Sequence, residues 1–414
     1  IGLGGLGFTM GLSGSWMLFT GLLGAWLASV FLIPKVFKLG AEHRLLTYPE
    51  VFGTVYSRPV VLVAATISGL GYLGFTASQL LAGAKLASTT IEPLSLSTAL
   101  IAMGALAVAY TSMGGMKAVI YTDTAQWLIL LLGLTFVGIP VSYMAIGGMD
   151  SIRQVVDPSM LRLTNVEPIQ LVNWAFTILP IWFVGMTLYQ RIYACRDEAT
   201  ARRAWYLAGV LEWPLMAFLG VALGLFGRVA WQQGTFTAFG FPPTDALDPE
   251  LGLPLLLSHM MPVGLLGIMM AAYFSAILST ADSCLMAASG NVNTDLFPGK
   301  GGRKSVLRSQ LVTLGLGTAA LILASQMTSV LDLMLQSYAF MVSGLFVPTI
   351  ALLVLEKPSS RAALSSMLLG GSTTTGLMFS GWALPLGLDP NIFGIGAAFA
   401  VFLTVQTLDR PRLN

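Results

Sequence analysis

Apolar residues run in long, nearly uninterrupted stretches along the whole 414-residue chain, and short polar clusters separate them. Many stretches reach the length of about 20 residues that a helix needs to cross a bilayer. This pattern predicts an N-terminal stub followed by eleven spans, at 15–33, 59–84, 94–113, 118–146, 169–190, 204–228, 262–289, 309–327, 330–355, 362–382 and 391–408. The stub meets a loop signal, Gly11-Leu12-Ser13-Gly14-Ser15, after about ten residues, which is too short to span. It reads as the tail of a helix that begins before Ile1. The expected fold class is all-α, a polytopic membrane protein.

Composition supports the pattern: 55% of residues are hydrophobic and only 10% are charged. The 45 glycines fit helices that approach one another closely. A net charge of +2 gives no reason to expect a nucleic-acid partner. Two cysteines, Cys195 and Cys284, make no disulfide framework. Two histidines, His43 and His259, without metal-ligand spacing, argue against zinc and haem. No nucleophile–base pair points to an enzyme, and both histidines fall near loops.

The charges set an orientation. Of the 21 Lys and Arg, 17 fall on alternate loops, among them Lys35, Arg58, Arg191, Arg308 and Arg361. The opposite loops hold Glu92, Asp150, Asp157, Glu167, Asp245, Asp248, Glu250 and Asp389. The positive-inside rule makes the basic side and the C-terminus cytoplasmic, in a cell (inner) membrane.

Three acids lie inside spans: Asp123, Glu212 and Asp282. A carboxylate within a span is costly and marks an ion or substrate path by default. Asp282 stands among Ser279, Thr280 and Ser283, oxygen-bearing side chains within about one helical turn, as a hard cation requires. Asp123 lies about two turns into its helix on the cytoplasmic side, at a depth that matches Asp282.

Several motifs then converge. Tyr110-Thr111-Ser112-Met113-Gly114-Gly115, followed by Thr122-Asp123-Thr124-Ala125-Gln126, resembles the signature of the sodium:solute symporter family. So does Ser275-Ala276-Ile277-Leu278-Ser279-Thr280-Ala281-Asp282-Ser283, with Asn293-Thr294-Asp295-Leu296-Phe297 after it. Gln190-Arg191 and Thr47-Tyr48-Pro49-Glu50 fit as well, and the likeness covers essentially the whole chain. It implies a five-plus-five inverted-repeat helical bundle, leucine-transporter-like, with two extra C-terminal helices. The first repeat would be 1–147, the second 168–356, and 357–414 peripheral.

The resemblance also implies a function: secondary active, sodium-coupled symport of a small polar organic solute by alternating access. No cofactor is implied beyond Na⁺ as coupling ion. One sodium would be held by the Ala276 carbonyl and the Ser279 and Thr280 hydroxyls, with carbonyls of the first core helix. A second cation site would use Asp123, Ser279, Asp282 and Ser283. For substrate, the corresponding positions are Phe75, Thr76 and Gln79, then Glu212, then Ser337, Phe340 and Met341. Packing is the competing role for each of these side chains. Pro180 and Pro214 are the expected sites of kinks. Gly220 and Gly224 form a GxxxG pair, weak evidence in so glycine-rich a chain. The alternative reading is a symporter-like membrane sensor module of a signalling protein, which the absence of a soluble segment after the last span disfavours.

Overall fold

The computed structural model describes residues 1–414 apart from 92, 114, 115, 298–302 and 410–414, and describes the backbone alone at 113, 116–123 and 303–305. The Gly114-Gly115 turn and the Asp123 side chain therefore lie outside the described residues. Those that are described form helices, turns and loops, with no strand among them.

The stub is helix α1 (Gly2–Met10). Gly11 ends it with φ 69°, and a Cβ there would sit 2.0 Å from the Met160 carbonyl oxygen, so glycine is required twice over. A 3₁₀ turn, Gly11–Ser15, leads into α2 (Trp16–Leu27), which runs through a π turn into α3 (Ile33–His43). A short helix, α4 (Tyr48–Phe52), follows, started by a Thr47–Glu50 capping box. Next come α5 (Arg58–Thr90), α6 (Leu96–Met113) and α7 (Met116–Gly133), the last prolonged through a π turn as α8 (Ile139–Ala145). Helix α5 has 33 residues, about 50 Å at 1.5 Å per residue, and so reaches well past a hydrocarbon core of about 30 Å. After α9 (Gly148–Val155) the chain returns as α10 (Pro168–Val184) and α11 (Met186–Ala194), which meet at a 42° bend.

The remaining helices are α12 (Glu198–Val210), α13 (Ala217–Gln232), α14 (Gly252–Met260), α15 (Val263–Gly290), α16 (Arg303–Ser325), α17 (Val330–Val354), α18 (Ser360–Ser380) and α19 (Pro390–Leu408). Eight stretches among the described residues are long and apolar enough to cross a membrane, nine with the α10–α11 pair. Helix α6 is a shorter apolar helix, and α18, rich in Ser, Thr and Gly, is less hydrophobic than the others. With these two, every span expected from the sequence is a helix.

The kinks differ from expectation in detail. Pro180 sits inside α10 without breaking it; the break comes at Gly185, where ψ is 109°. Near Pro214 the chain does leave helical geometry, at Trp213 (φ −138°, ψ 127°), between α12 and α13.

Packing centres on α5, which contacts α6, α15, α16 and α17, while α18 and α19 pack on each other and on α17. The GxxxG pair turns out to matter. A Cβ at Gly224 would lie 2.0 Å from the Gly4 carbonyl oxygen, and one at Gly7 would lie 2.1 Å from that of Val221. Helices α1 and α13 thus touch backbone to backbone, which only small residues allow. Large apolar side chains that remain exposed, such as Phe136, Ile322 and Phe379, are what lipid contact requires.

Candidate functional site

Two cavities follow each other along one face of α15 and meet at mid-helix. The first, about 670 Å³, is lined by Thr124, Thr187, Arg191, Ser279, Thr280 and Ser283, with Phe75 and Trp127 among its apolar walls. The second, about 330 Å³, is lined by Gln79, Leu134, Met216, Ile277 and Leu331 together with the start of α1. Ala276 and Thr280 line both. The linings interleave in the same way on other helices. Phe75 of α5 faces the first cavity and Gln79, one turn on, the second. Ala208 of α12 faces the first, and Met216, just before α13, the second. The two cavities are therefore separated by a thin layer of side chains at mid-helix.

In that layer, α15 presents the oxygens expected of a sodium wall. The Thr280 hydroxyl donates to the Ala276 carbonyl at 3.0 Å, so these two oxygens are already side by side. Ser279 and Ser283 are one turn apart on the cavity face, and Ser283 accepts from Arg191 Nη2 at 3.5 Å. Neutral oxygens of this kind suit a hard monovalent cation.

Asp282 is placed differently. It is fully buried, and its Oδ1 lies 2.5 Å from the Thr111 hydroxyl on α6. Adjacent helix residues point about 100° apart, so Asp282 turns toward α6 while Ser283 turns toward the cavity. Of the four residues named for a second cation site, Ser279 and Ser283 share one face and Asp282 bonds toward α6 from another, while the Asp123 side chain is outside the described residues.

The substrate candidates also divide. Phe75 and Gln79 line cavities. The Thr76 hydroxyl donates to the Tyr72 carbonyl within its own helix, at 2.8 Å. Ser337 donates to the Leu333 carbonyl at 2.7 Å and packs over Gly74, while Met341 packs over Gly71. Phe340 packs near Gly371. These four do not line either cavity. Glu212 lies between Ala208 and Met216, with its carboxylate against Gly21 of α2. Its Oε2 is buried and has no hydrogen-bond partner among the described residues. Trp213 beside it packs against Phe19 and Trp16, at 4.9 and 6.0 Å between ring centroids.

Two motifs far apart in sequence meet on the basic side. Thr47 donates to Asp295 Oδ1 at 2.9 Å, and Arg58 donates to the Asp295 carbonyl. Tyr48, next to Thr47, shares a hydrogen bond with Thr349 of α17 at 2.7 Å, and its ring packs on Tyr189 of α11. The motifs thus tie α4 to α11, α15 and α17.

Sequence reasoning missed the break at Gly185, the place of Arg191 in the cavity wall, and a buried cluster on the acidic side. There Lys85 pairs with Asp248 at 2.7 Å and Glu250 at 2.6 Å. The signal was Lys85 itself, a lone cation closing an apolar run.

Comparison with known proteins bears on the family and the fold. Over 399 residues the chain is 27% identical to the high-affinity proline transporter PutP of Bacillus subtilis, covering 90% of this chain and 79% of that one. It is 28% identical over 366 residues to the sodium/pantothenate symporter of Haemophilus influenzae, covering 83% and 71%. The solved structure of a Na⁺-coupled sialic acid symporter, substrate-bound and outward-open, superposes with a TM-score of 0.71 at 18% identity, over 99% of this chain and 89% of that one, and so has the same fold. The profile of the sodium:solute symporter family matches residues 1–370. The chain belongs to the sodium:solute symporter family: it is an integral membrane transporter that couples Na⁺ to the movement of a small solute, and not an enzyme.

Proposed function

We propose that this protein takes up a small polar organic solute with sodium across the cell (inner) membrane by alternating access, with its C-terminus in the cytoplasm. The observation that carries this reading is the position of Ala276 and Thr280, which line both cavities where they meet along α15. An ion held there touches whichever cavity is open, so its binding can be coupled to the exchange of access. The sodium site is the Ala276 carbonyl with the Ser279 and Thr280 hydroxyls, completed by backbone oxygens of the first core helix.

The solute binds at the same level. Phe75 and Gln79 supply an aromatic face and an amide from α5, and Glu212 supplies a carboxylate. The buried Oε2 of Glu212 calls for a donor, which an amine or a hydroxyl-rich solute provides. Relatives named for proline and pantothenate fall in this range of small polar solutes. The repeats are 1–147 and 168–356, with 357–414 peripheral. The bend at Gly185, in the helix that would open the second repeat, supports this division, since such folds use broken helices at mid-membrane.

The test is uptake of a panel of labelled amino acids, sugars and carboxylates into proteoliposomes holding the full-length protein, with and without a sodium gradient. Sodium stimulation of at least one amine or polyol is the expected result. A folded sample that shows no sodium stimulation with any solute would sink the reading.

A further inference from the structure

The cluster around Glu250 lies outside the ion and solute site, and its connections reach α1, α5 and α17, three of the helices that line the second cavity. Lys85 is at the far end of α5, with its side chain 3% exposed, and Glu250 is 7% exposed. Both charges are nearly out of water, where ions persist only if paired and hydrogen-bonded. The Glu250 carboxylate is fully engaged. Its Oε2 accepts from Lys85 at 2.6 Å and from the Val330 N–H at 2.9 Å, and its Oε1 accepts from the Leu331 N–H at 2.9 Å.

Val330 and Leu331 open α17, and the first N–H groups of a helix have no partner within it. Ser329 caps the third, Asp332 N–H, at 3.1 Å. The first two are satisfied by Glu250, a side chain 80 residues away in the segment before α14. That segment is itself held by Asp248, which caps Glu250 N–H at 3.0 Å and pairs with Lys85 at 2.7 Å. Glu250 also packs on Gly5 of α1. The same elements supply the cavity wall: Gln79 and Ala82 from α5, Gly2 to Gly4 from α1, Val330 and Leu331 from α17, and Leu253 from α14.

We infer that Lys85 and Glu250 form the latch of the non-cytoplasmic gate, with the segment before α14 as the lid that it fastens to α5 and to the start of α17. While the latch is made, the second cavity stays narrow. Its opening to solute requires Glu250 to leave α17, and the two freed N–H groups then turn to water. Glu250 is a positioning residue, since it touches neither ion nor solute. This inference rests on the alternating-access reading above.

The experiment uses the full-length protein in intact cells, with Cys195→Ala and Cys284→Ala as background and Met334→Cys as reporter within the second cavity. The readout is the rate of labelling by a membrane-impermeant thiol reagent, without sodium. In Lys85→Met/Glu250→Gln, which removes both buried charges together, labelling should quicken by about tenfold or more, a latch worth about 1.4 kcal/mol or more. Lys85→Arg keeps the pair and should label at the parent rate. Asp248→Asn, at a side chain 38% exposed and so tolerant of change, should give an intermediate rate. Apparent sodium affinity in the double variant should rise, because the outward-open state is more populated; a merely structural defect would lower it or leave it alone. Parent-rate labelling in both the double variant and Asp248→Asn overturns the latch, even if uptake remains sodium-driven. Absence of sodium-driven uptake in the parent overturns the symport reading instead, whatever the labelling shows.

Discussion

Replacing Gly224 by alanine tests the close crossing of α1 and α13 that positions the start of α1 at the second cavity. The new methyl would lie 2.0 Å from the Gly4 carbonyl oxygen, 2.7 Å from its carbon and 2.9 Å from its Cα. Helices tolerate C–H···O approaches of about 3.3 Å, so the intrusion is about 1.3 Å. The atoms struck are backbone and cannot rotate away, so the helices must separate. Overpacking of this sort costs about 1–3 kcal/mol, and the rigid partner puts it near the top of that range. Alanine's helix propensity returns about 1 kcal/mol, which leaves a net loss of about 2 kcal/mol. The comparison is Gly315→Ala in α16, where nothing lies within 4 Å and only the propensity gain applies. Reversible unfolding of the purified full-length protein in mixed micelles should separate the two by about 3 kcal/mol, the clash alone, since the propensity gain is common to both and cancels. Equal stabilities for the two variants would refute the crossing.

Two further predictions concern the basic side. Thr47→Val removes the hydroxyl that donates to buried Asp295, and should cost about 1–3 kcal/mol in the same assay, while Thr47→Ser should restore most of it. Asp197 caps α12 by accepting from Thr200, chiefly a side-chain interaction reinforced by the Thr200 N–H at 2.7 Å, and this holds its carboxyl at about 2, below the ordinary 3.8. A depressed carboxyl stabilises above its unfolded pKa and loses that contribution as pH falls through its folded one. Intrinsic-rate-corrected hydrogen-exchange protection at the start of α12 should therefore hold from neutral pH down to about pH 4 and weaken toward pH 2; a loss beginning near pH 5 would contradict the cap.

The spans were legible because a bilayer demands long apolar runs, and even α18, weakened by its Ser, Thr and Gly residues, stayed readable between its flanking polar segments. The break at Gly185 was not. Pro180 is the stronger local signal, yet α10 absorbs it, and a glycine in so glycine-rich a chain carries little information alone. Gly220 and Gly224 were discounted for the same reason, and only their contacts with Leu3 and Gly4 give them meaning. Ser279, Thr280 and Asp282 were correctly seen as neighbours on one helix. Sequence spacing alone did not commit Asp282 to α6, because that depends on the position of Thr111, 171 residues earlier. The Lys85–Glu250 and Thr47–Asp295 pairings span 165 and 248 residues, so no local pattern could announce them.

The central claim is that sodium is held by the Ser279 and Thr280 hydroxyls at the meeting of the two cavities. It is tested most directly by the sodium dependence of solute uptake in full-length Ser279→Ala/Thr280→Ala, reconstituted beside the parent. The account predicts that the sodium concentration for half-maximal uptake rises at least about tenfold, a loss of about 1.4 kcal/mol in ion binding. An unchanged sodium dependence in a folded double variant would contradict it.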